Sequence, residues 1–303
     1  MLEWPSNLVY TASISPDNLY VITGSLDGVI RHWDIKTGAL RLRLDVSHLA
    51  ITSVALSGDG QWFAYTTEEG NLKIRHVFNQ LERSPSRYEP QLFSYASFSH
   101  DSQHILVSSP YTPQIVVFEV ISDFSQPQQT FTAACGGVIP NATFSPSDDL
   151  ILAGCGNGNL YLWERATGRL KWSQRIVPSD LEPIEAKFSP RKNSILTCLN
   201  EINLWDIDAW RHIRRFTSSQ SLTFITANFS SDGEKIIAGA RDGTIVVWNT
   251  YTGQQLWESR VHQHEITSCV CSYDNRYLVT TSYDEKAVIW HLDTGQTFHI
   301  LPH

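Results

Sequence analysis

Short apolar runs that end in small side chains recur along the chain, as in Tyr20-Val21-Ile22-Thr23-Gly24-Ser25, Leu150-Ile151-Leu152-Ala153-Gly154-Cys155 and Lys235-Ile236-Ile237-Ala238-Gly239-Ala240. Runs of this kind, bounded by turn residues, predict inner strands buried on both faces. Each follows a strand and a polar turn such as Ser15-Pro16-Asp17-Asn18, Ser57-Gly58-Asp59-Gly60 or Ser230-Ser231-Asp232-Gly233, where Asp, Gly and Pro favour a tight reversal. Next come Asp27-Gly28, Glu69-Gly70, Asn157-Gly158 and Asp242-Gly243, pairs that tolerate positive φ and join antiparallel strands closely. A strand with a large aromatic residue follows, and then Thr37-Gly38, Thr167-Gly168, Thr252-Gly253 and Thr294-Gly295 mark a third reversal before an outer strand. Three reversals joining four strands define a four-stranded antiparallel sheet as the repeating unit.

One position on the third strand sets the period. It is Trp33, then Arg75, Phe118, Trp163, Trp205, Trp248 and Trp290, with spacings of 42, 43, 45, 42, 43 and 42 residues. A period of about 43 residues is the length of one such sheet, so seven registers predict an all-β chain forming one closed domain over 1–303. The approximate units are 8–45, 48–88, 90–131, 136–176, 179–216, 220–259 and 262–301. Two registers depart: the fifth has the shortened turn Leu199-Asn200-Glu201, and the third carries Ser109-Pro110-Tyr111-Thr112-Pro113.

The recurring strand–turn order and the dipeptides Trp33-Asp34 and Trp205-Asp206, varied to Trp163-Glu164, Trp248-Asn249, Trp290-His291, Phe118-Glu119 and Arg75-His76, resemble the WD-repeat family. That resemblance covers nearly the whole chain and implies a seven-bladed β-propeller with four antiparallel strands per blade. It also implies a structural tetrad of hydrogen-bonded side chains, matched fully only in the last blade by His262, Ser282, Asp284 and Trp290. The first blade keeps Ser25, Asp27 and Trp33 but has Pro5 in the place of the His. The other blades are then expected to be held mainly by apolar packing. Family members commonly complete the final blade with an N-terminal strand. Here Val9 to Ile14 already reads as an inner strand and Thr297 to Leu301 as an outer one, so the ring is expected to close without exchange, with Met1 to Trp4 as an added strap.

Composition narrows the function. The 42% apolar and 11% aromatic content suits a substantial core, and 23 basic against 31 acidic side chains leave a net charge of −8, which removes the usual footprint of a nucleic-acid binder. Cys135, Cys155, Cys198, Cys269 and Cys271 are odd in number without a C-x-x-C spacing, so no disulfide framework or zinc site is expected and a reducing, intracellular setting, cytoplasmic or nuclear, fits best. No run of about 18 apolar residues predicts a membrane helix. The alternating glycines at 154, 156 and 158 align with a hairpin rather than with a phosphate loop opening a helix. His262 and His264 stand beside Glu265 without an identifiable third ligand. The outer-strand residues Trp172 and Trp257 are expected to cover apolar surface at the rim. Catalytic, metal and cofactor-binding residues are therefore not assigned, and the chain is not read as an enzyme.

In propellers of this family the usual docking face is the end of the ring carrying the loops into the first strands and those between the second and third. By register the loop tips are Leu26, Glu68, Tyr111, Gly156, Arg241 and Tyr283. The starts of the first strands map to Tyr10, Thr52, Ser94, Pro140, Ile184, Ile225 and Thr267, with Glu182 and Glu265 beside them. Tyr and Arg at exposed tips are the material of binding hot spots, which makes Tyr10, Tyr111, Arg241 and Tyr283 the expected anchors. The connections Leu81 to Pro90, with Arg83, Arg87 and Tyr88, and Ser122 to Pro140 add candidate contacts. The expected function is a non-catalytic scaffold or adaptor subunit that docks protein partners within a multiprotein complex, without direct nucleic-acid contact or membrane insertion. The alternative from another class is a propeller enzyme or small-ligand sensor using the central cavity.

Overall fold

The computed structural model describes residues 7–79, 81–85, 93–121, 124, 126–134, 138–176, 184–191, 193–218 and 220–303. They form seven four-stranded antiparallel sheets, each with its strands in chain order, as the repeat requires. The first strands are Val9–Ile14, Ile51–Leu56, Tyr95–Phe98, Asn141–Phe144, Glu185–Phe188, Phe224–Phe229 and Ile266–Cys271, and each lies beside the next. Val9–Ile14 also packs against Ile266–Cys271, which closes the ring. The outer strand of blade seven, Thr297–Pro302, pairs with Lys286–His291, so closure needs no exchanged strand. No helix among the described residues is long and apolar enough to cross a membrane.

The small residues that end the second strands have a packing reason. A β-carbon on Gly24 would lie 2.5 Å from Ile51 Cγ2, and one on Gly239 would lie 2.4 Å from Ile266 Cγ2. Only glycine lets the first strand of the next blade come so near. Between blades one and seven, Ala12, Ile14, Val21, Trp33 and Ile35 pack on Val279, Ala287, Ile289 and Leu301 in one buried cluster. The seam is thus an apolar interface of the same kind as the other six.

Hydrogen bonds between blades follow a sequence rule at the first turns. In blades one, two, three, four, six and seven the turn opens with a Ser whose Oγ accepts the amide five residues on, as Tyr20 N–H does to Ser15 at 3.0 Å and Tyr277 N–H does to Ser272 at 2.9 Å. Three residues after that Ser the backbone has positive φ at Asn18, Gly60, Ser102, Asp148, Gly233 and Asn275. Where this residue is polar, its side chain accepts an amide from the turn of the preceding blade. Tyr273 N–H donates to Asn18 at 2.7 Å, Asp59 N–H to Ser102 at 3.0 Å, His100 N–H to Asp148 at 2.9 Å and Asp232 N–H to Asn275 at 3.2 Å. Where it is glycine, the preceding turn offers a proline instead: Gly60 faces Pro16 and Gly233 faces Pro190. Proline has no amide to satisfy, so the side chain is dispensable there.

Some expectations need correction. Arg83 belongs to a short outer strand, Glu82–Arg83, and donates to the carbonyls of Val120 at 2.9 Å and Ile121 at 3.1 Å, so it ties blade two to blade three. The connection Ser122 to Pro140 contains the outer strand Gln129–Thr132 of blade three. Cys155 is disulfide-bonded although no disulfide framework was expected, while Cys198, Cys269 and Cys271 are free. Odd count and spacing could not reveal a bond within a framework-free set. Arg87, Tyr88, Cys135, Glu182 and Met1 to Trp4 lie outside the described residues. The short fifth turn is made by Asn200 at φ 58°, which lets Leu199 pair with Glu201 directly. Trp172 stacks on Trp210 with centroids 3.5 Å apart, and Trp257 donates its indole N–H to Leu292 O at 2.8 Å.

Candidate functional site

The two loop sets meet at one end of the ring through a repeated backbone bond. Leu26 N–H donates to Leu8 O at 2.8 Å, Glu68 N–H to Ala50 O at 2.9 Å, Gly156 N–H to Val138 O at 2.9 Å, Arg241 N–H to Thr223 O at 2.9 Å and Tyr283 N–H to Glu265 O at 3.2 Å. Each loop tip is therefore fixed to the loop that enters the same blade. Four of the mapped strand starts, Tyr10, Thr52, Ile225 and Thr267, fall where the register of the first strand shifts. A bulge re-aims its extra side chain, and Tyr10, Thr52 and Thr267 line the channel. Ile184 differs: it is buried in the core between blades four and five and offers nothing to a partner.

The structure brings five of the expected residues into one belt across blades six, seven, one and two. Arg241 Nε lies 3.4 Å from Glu265 Oε2. Tyr283 meets Tyr10 edge to face, with ring centroids 5.5 Å apart and an interplanar angle of 80°. Burial, Tyr10 and the Glu265 carboxylate together push the Tyr283 hydroxyl up to about 12. Burial raises Tyr10 as well, and the Glu68 carboxylate adds to it. Tyr111, by contrast, stands out at 69% exposure on blade three, its amide donating to Ser109 Oγ at 3.1 Å. Leu26 is half-buried in its loop.

Behind the belt, His262 and Trp290 share a hydroxyl, though not the expected one. His262 Nε2 lies 2.7 Å from Thr280 Oγ1, Trp290 Nε1 donates to the same oxygen at 2.9 Å, and His262 Nδ1 lies 3.0 Å from Asp284 Oδ2. Ser282 instead donates to His264 O at 3.0 Å and accepts Asp284 N–H at 3.1 Å. Alternation explains the correction: Thr280 and Ser282 share one face of the strand, and Thr280 is the one set opposite Val288, two residues before the indole. The same geometry recurs as Trp33 to Thr23 and Trp205 to Thr197, both at 2.9 Å. A Thr ten residues before the Trp, or eight where the turn is shortened, is a signal the sequence carried.

The channel forms a cavity of about 770 Å³ lined by the first strands. Lys187 reaches from blade five to blade three, donating to Tyr95 Oη at 2.9 Å and lying 3.5 Å from Glu185 Oε1. Burial alone would lower the Lys187 ammonium, but Tyr95 and Glu185 outweigh it and hold its pKa above the usual lysine range. Cys269 and Cys271 also face the channel, and burial pushes both thiols up, which keeps them protonated and poorly nucleophilic. Polar side chains from the first strands serve their neighbours: Ser53 accepts Ala96 N–H at 3.3 Å, Glu185 accepts Ala227 N–H at 3.1 Å, and Thr267 donates to Val9 O at 2.7 Å.

Comparison with known proteins decides the family. The model described as WD domain, G-beta repeat matches residues 2–34, 125–164, 210–249 and 253–291, together half of the chain. The chain belongs to the WD-repeat family. Blades two, three and five supply no matched third strand, in keeping with Arg75 and Phe118 at the marker and with the shortened fifth turn. Among similar WD-repeat proteins, periodic tryptophan protein 2 homolog of Dictyostelium discoideum is 24% identical over 84% of this chain and 28% of its own length. Elongator complex protein 2 of Danio rerio is 34% identical over 29% of this chain and 12% of its own, and eukaryotic translation initiation factor 3 subunit I of Aspergillus niger is 27% identical over 50% and 49%. This WD-repeat chain thus spans half or less of the length of these relatives.

Proposed function

We propose that this WD-repeat ring is a non-catalytic scaffold or adaptor subunit that docks protein partners on the loop face around its channel. The observation that carries the reading is the belt of Arg241, Glu265, Tyr283, Tyr10 and Glu68, half-buried or exposed side chains set on a strand start and on loops pinned by backbone hydrogen bonds. Rigid aromatic and Arg groups bury much area at modest entropic cost when a partner binds. Leu26 and Tyr111 extend the surface over blades one and three, and Glu182 is assigned to it by register. The names of two relatives, Elongator complex protein 2 and eukaryotic translation initiation factor 3 subunit I, support membership of a multiprotein assembly. A net charge of −8 supports a protein rather than a nucleic acid as the partner.

A non-catalytic role is supported by the state of the groups that could react. His262 and Asp284 are buried against each other and the Thr280 hydroxyl, and the channel thiols are held protonated. An intracellular site, cytoplasmic or nuclear, belongs to the same proposal. The Cys155 disulfide weighs against it, since reducing compartments open such bonds. Mass analysis of alkylated protein from its native source tests this: a Cys155 modified without prior reduction upholds the location, and a protected one overturns it.

The docking proposal is tested with a Tyr111→Ala, Arg241→Ala, Tyr283→Ala triple variant. The variant is expected to keep its folded circular dichroism and lose the principal partner in a pull-down from native extract. Retained partner would remove the docking site from this face.

A further inference from the structure

Along the channel the first strands are tied to one another by a rule that fails at one blade. Thr11, Ser53, Tyr95, Asn141 and Glu185 hold the same position in blades one to five, each opposite the fifth residue of its second strand. In blades one, two and five this side chain accepts the amide one residue past that position in the next blade. Val54 N–H donates to Thr11 at 3.3 Å, Ala96 N–H to Ser53 at 3.3 Å and Ala227 N–H to Glu185 at 3.1 Å. Blade six reaches blade seven from Asn228 Nδ2 to Cys269 O at 3.2 Å, and blade seven reaches blade one from Thr267 to Val9 O at 2.7 Å. Blade four has no such tie on either side: among the described residues no first-strand side chain bonds Asn141–Phe144 to Tyr95–Phe98 or to Glu185–Phe188. Asn141, placed by register to reach the Ala186 amide, is buried with its Oδ1 unpartnered.

Lys187 spans the gap. Its Nζ donates to Tyr95 Oη at 2.9 Å, stands 5.0 Å from the centre of the same ring and lies 3.5 Å from Glu185 Oε1, while Glu185 Oε2 takes the Ala227 amide. The first strands of blades three, four and five all line the cavity, so a bond from blade five to blade three passes in front of blade four on the channel side. One line of polar contacts thus runs from blade three to blade six and bypasses blade four. We propose that the Lys187–Tyr95 contact is a bar that keeps the inner strand of blade four in the ring, and that its release lets Asn141–Phe144 open locally into the channel while the other blades stay closed. A fold opens first where the fewest ties hold it, and the loss of one buried hydrogen bond shifts such a local equilibrium by about tenfold.

Native-state hydrogen exchange of the full chain, resolved by peptide, tests the bar. In Tyr95→Phe, which removes only the hydroxyl, the amides of Asn141–Phe144 and of their partners Leu150–Gly154 are expected to exchange about tenfold faster, while those of Val9–Ile14 change by less than about twofold. Lys187→Met should act on the same amides, and Lys187→Arg, which keeps a donor within reach of Tyr95, should restore most of the protection. Thr11→Val cuts a tie elsewhere in the ring, so it should speed exchange in Ile51–Leu56 and leave blade four unchanged. Unaltered exchange of blade four in Tyr95→Phe would overturn the proposal. Equal acceleration of all seven blades would do so too, since the contact would then add only to global stability. Should Lys187→Met fail to fold, Tyr95→Phe decides the matter by the same readings.

Discussion

Blades one and seven meet at the seam, and both tie a tryptophan to a histidine through a threonine, but they assemble the network from different parts of the chain. In blade seven the histidine, His262, lies just before the first strand of its own blade and touches Asp284 directly. In blade one that histidine is His303, on the far side of the seam, with its Nε2 3.1 Å from Thr23 Oγ1 while Trp33 donates to the same oxygen. Asp27 does not face this histidine. The Arg31 guanidinium stands between them, 2.6 Å from Asp27 Oδ2, 2.8 Å from Ser25 Oγ and 3.5 Å from His303 Nδ1. Arg31 sits opposite Thr23 just as Val288 sits opposite Thr280. An arginine on the third strand, together with a histidine supplied from across the seam, thus replaces the direct His–Asp contact by a relay and makes the network a clasp across the closing interface.

That difference gives the largest expected effect. Arg31→Met removes a buried cation and leaves Asp27 with hydrogen bonds but no counter-charge, which should cost about 3 kcal/mol in a urea titration. The Val288→Arg exchange in blade seven should not build a second relay, because His262 already occupies Asp284. A loss below about 1 kcal/mol in Arg31→Met would mean that Asp27 is served by solvent and the relay carries no stability. Next in size, Thr280→Val and Thr23→Val each strip the hydroxyl that two ring nitrogens share. Costs of about 1–3 kcal/mol are expected, greater for Thr280 because His262 and Trp290 are both almost wholly buried. His262→Ala falls in the same range. Equal urea midpoints for the two Thr variants would show that the blades are equivalent after all.

A pH titration sharpens the contrast. Burial chiefly, with the Arg31 charge, depresses His303 from 6.5 to about 3, and burial with the Arg75 charge depresses His32 to about 4. His104 is lowered too, first by burial and then by Arg165. Between their folded values and about 6.5 the unfolded chain binds more protons at these sites than the folded chain does, so stability should rise with pH across that window and be lost as pH falls through it. The carboxylates of Asp27 and Asp284, both lowered from 3.8 by their hydrogen bonds and nearby cations against the opposing effect of burial, add their loss only below that value. His303→Gln should flatten the slope of urea midpoint between pH 6.5 and 4 without abolishing it, since His32 and His104 remain. An unchanged slope would place His303 in solvent and break the clasp.

The sheets and their order were legible because the turn chemistry repeats: Ser and Asp open one reversal, Asp-Gly the next and Thr-Gly the third, and each needs a particular backbone shape. The blade-seven histidine, aspartate and tryptophan were legible for the same reason. What escaped was contact across blades. Pro5 drew attention to a missing histidine in blade one, yet no local pattern says that His303, at the other end of the sequence, lies against Thr23. Arg31 was not singled out, because its burial depends on the neighbouring blade. The pairing of Pro16 with Gly60 and Pro190 with Gly233, against polar caps elsewhere, was present in the letters but becomes meaningful only once the blades are known to be neighbours. Bulges at Tyr10 and Thr267 likewise shift the register without changing the composition of the strand.

The smallest expected effect tests the hydroxyl reassigned in blade seven. Ser282 is buried, and among the described residues its Oγ bonds to backbone alone, the His264 carbonyl and the Asp284 amide, so it holds the two loops together. Ser282→Ala should cost about 1 kcal/mol, because the small cavity it leaves is accompanied by the loss of a partner for the His264 carbonyl and for the Asp284 amide, both on loops that solvent reaches. Its effect should add to that of His262→Ala, whereas Thr280→Val and His262→Ala should combine to much less than their sum, since either one alone breaks the same bond. A double-mutant cycle by urea titration reads this directly. Strong coupling of Ser282 to His262, with none between Thr280 and His262, would return the serine to the network and remove the threonine from it.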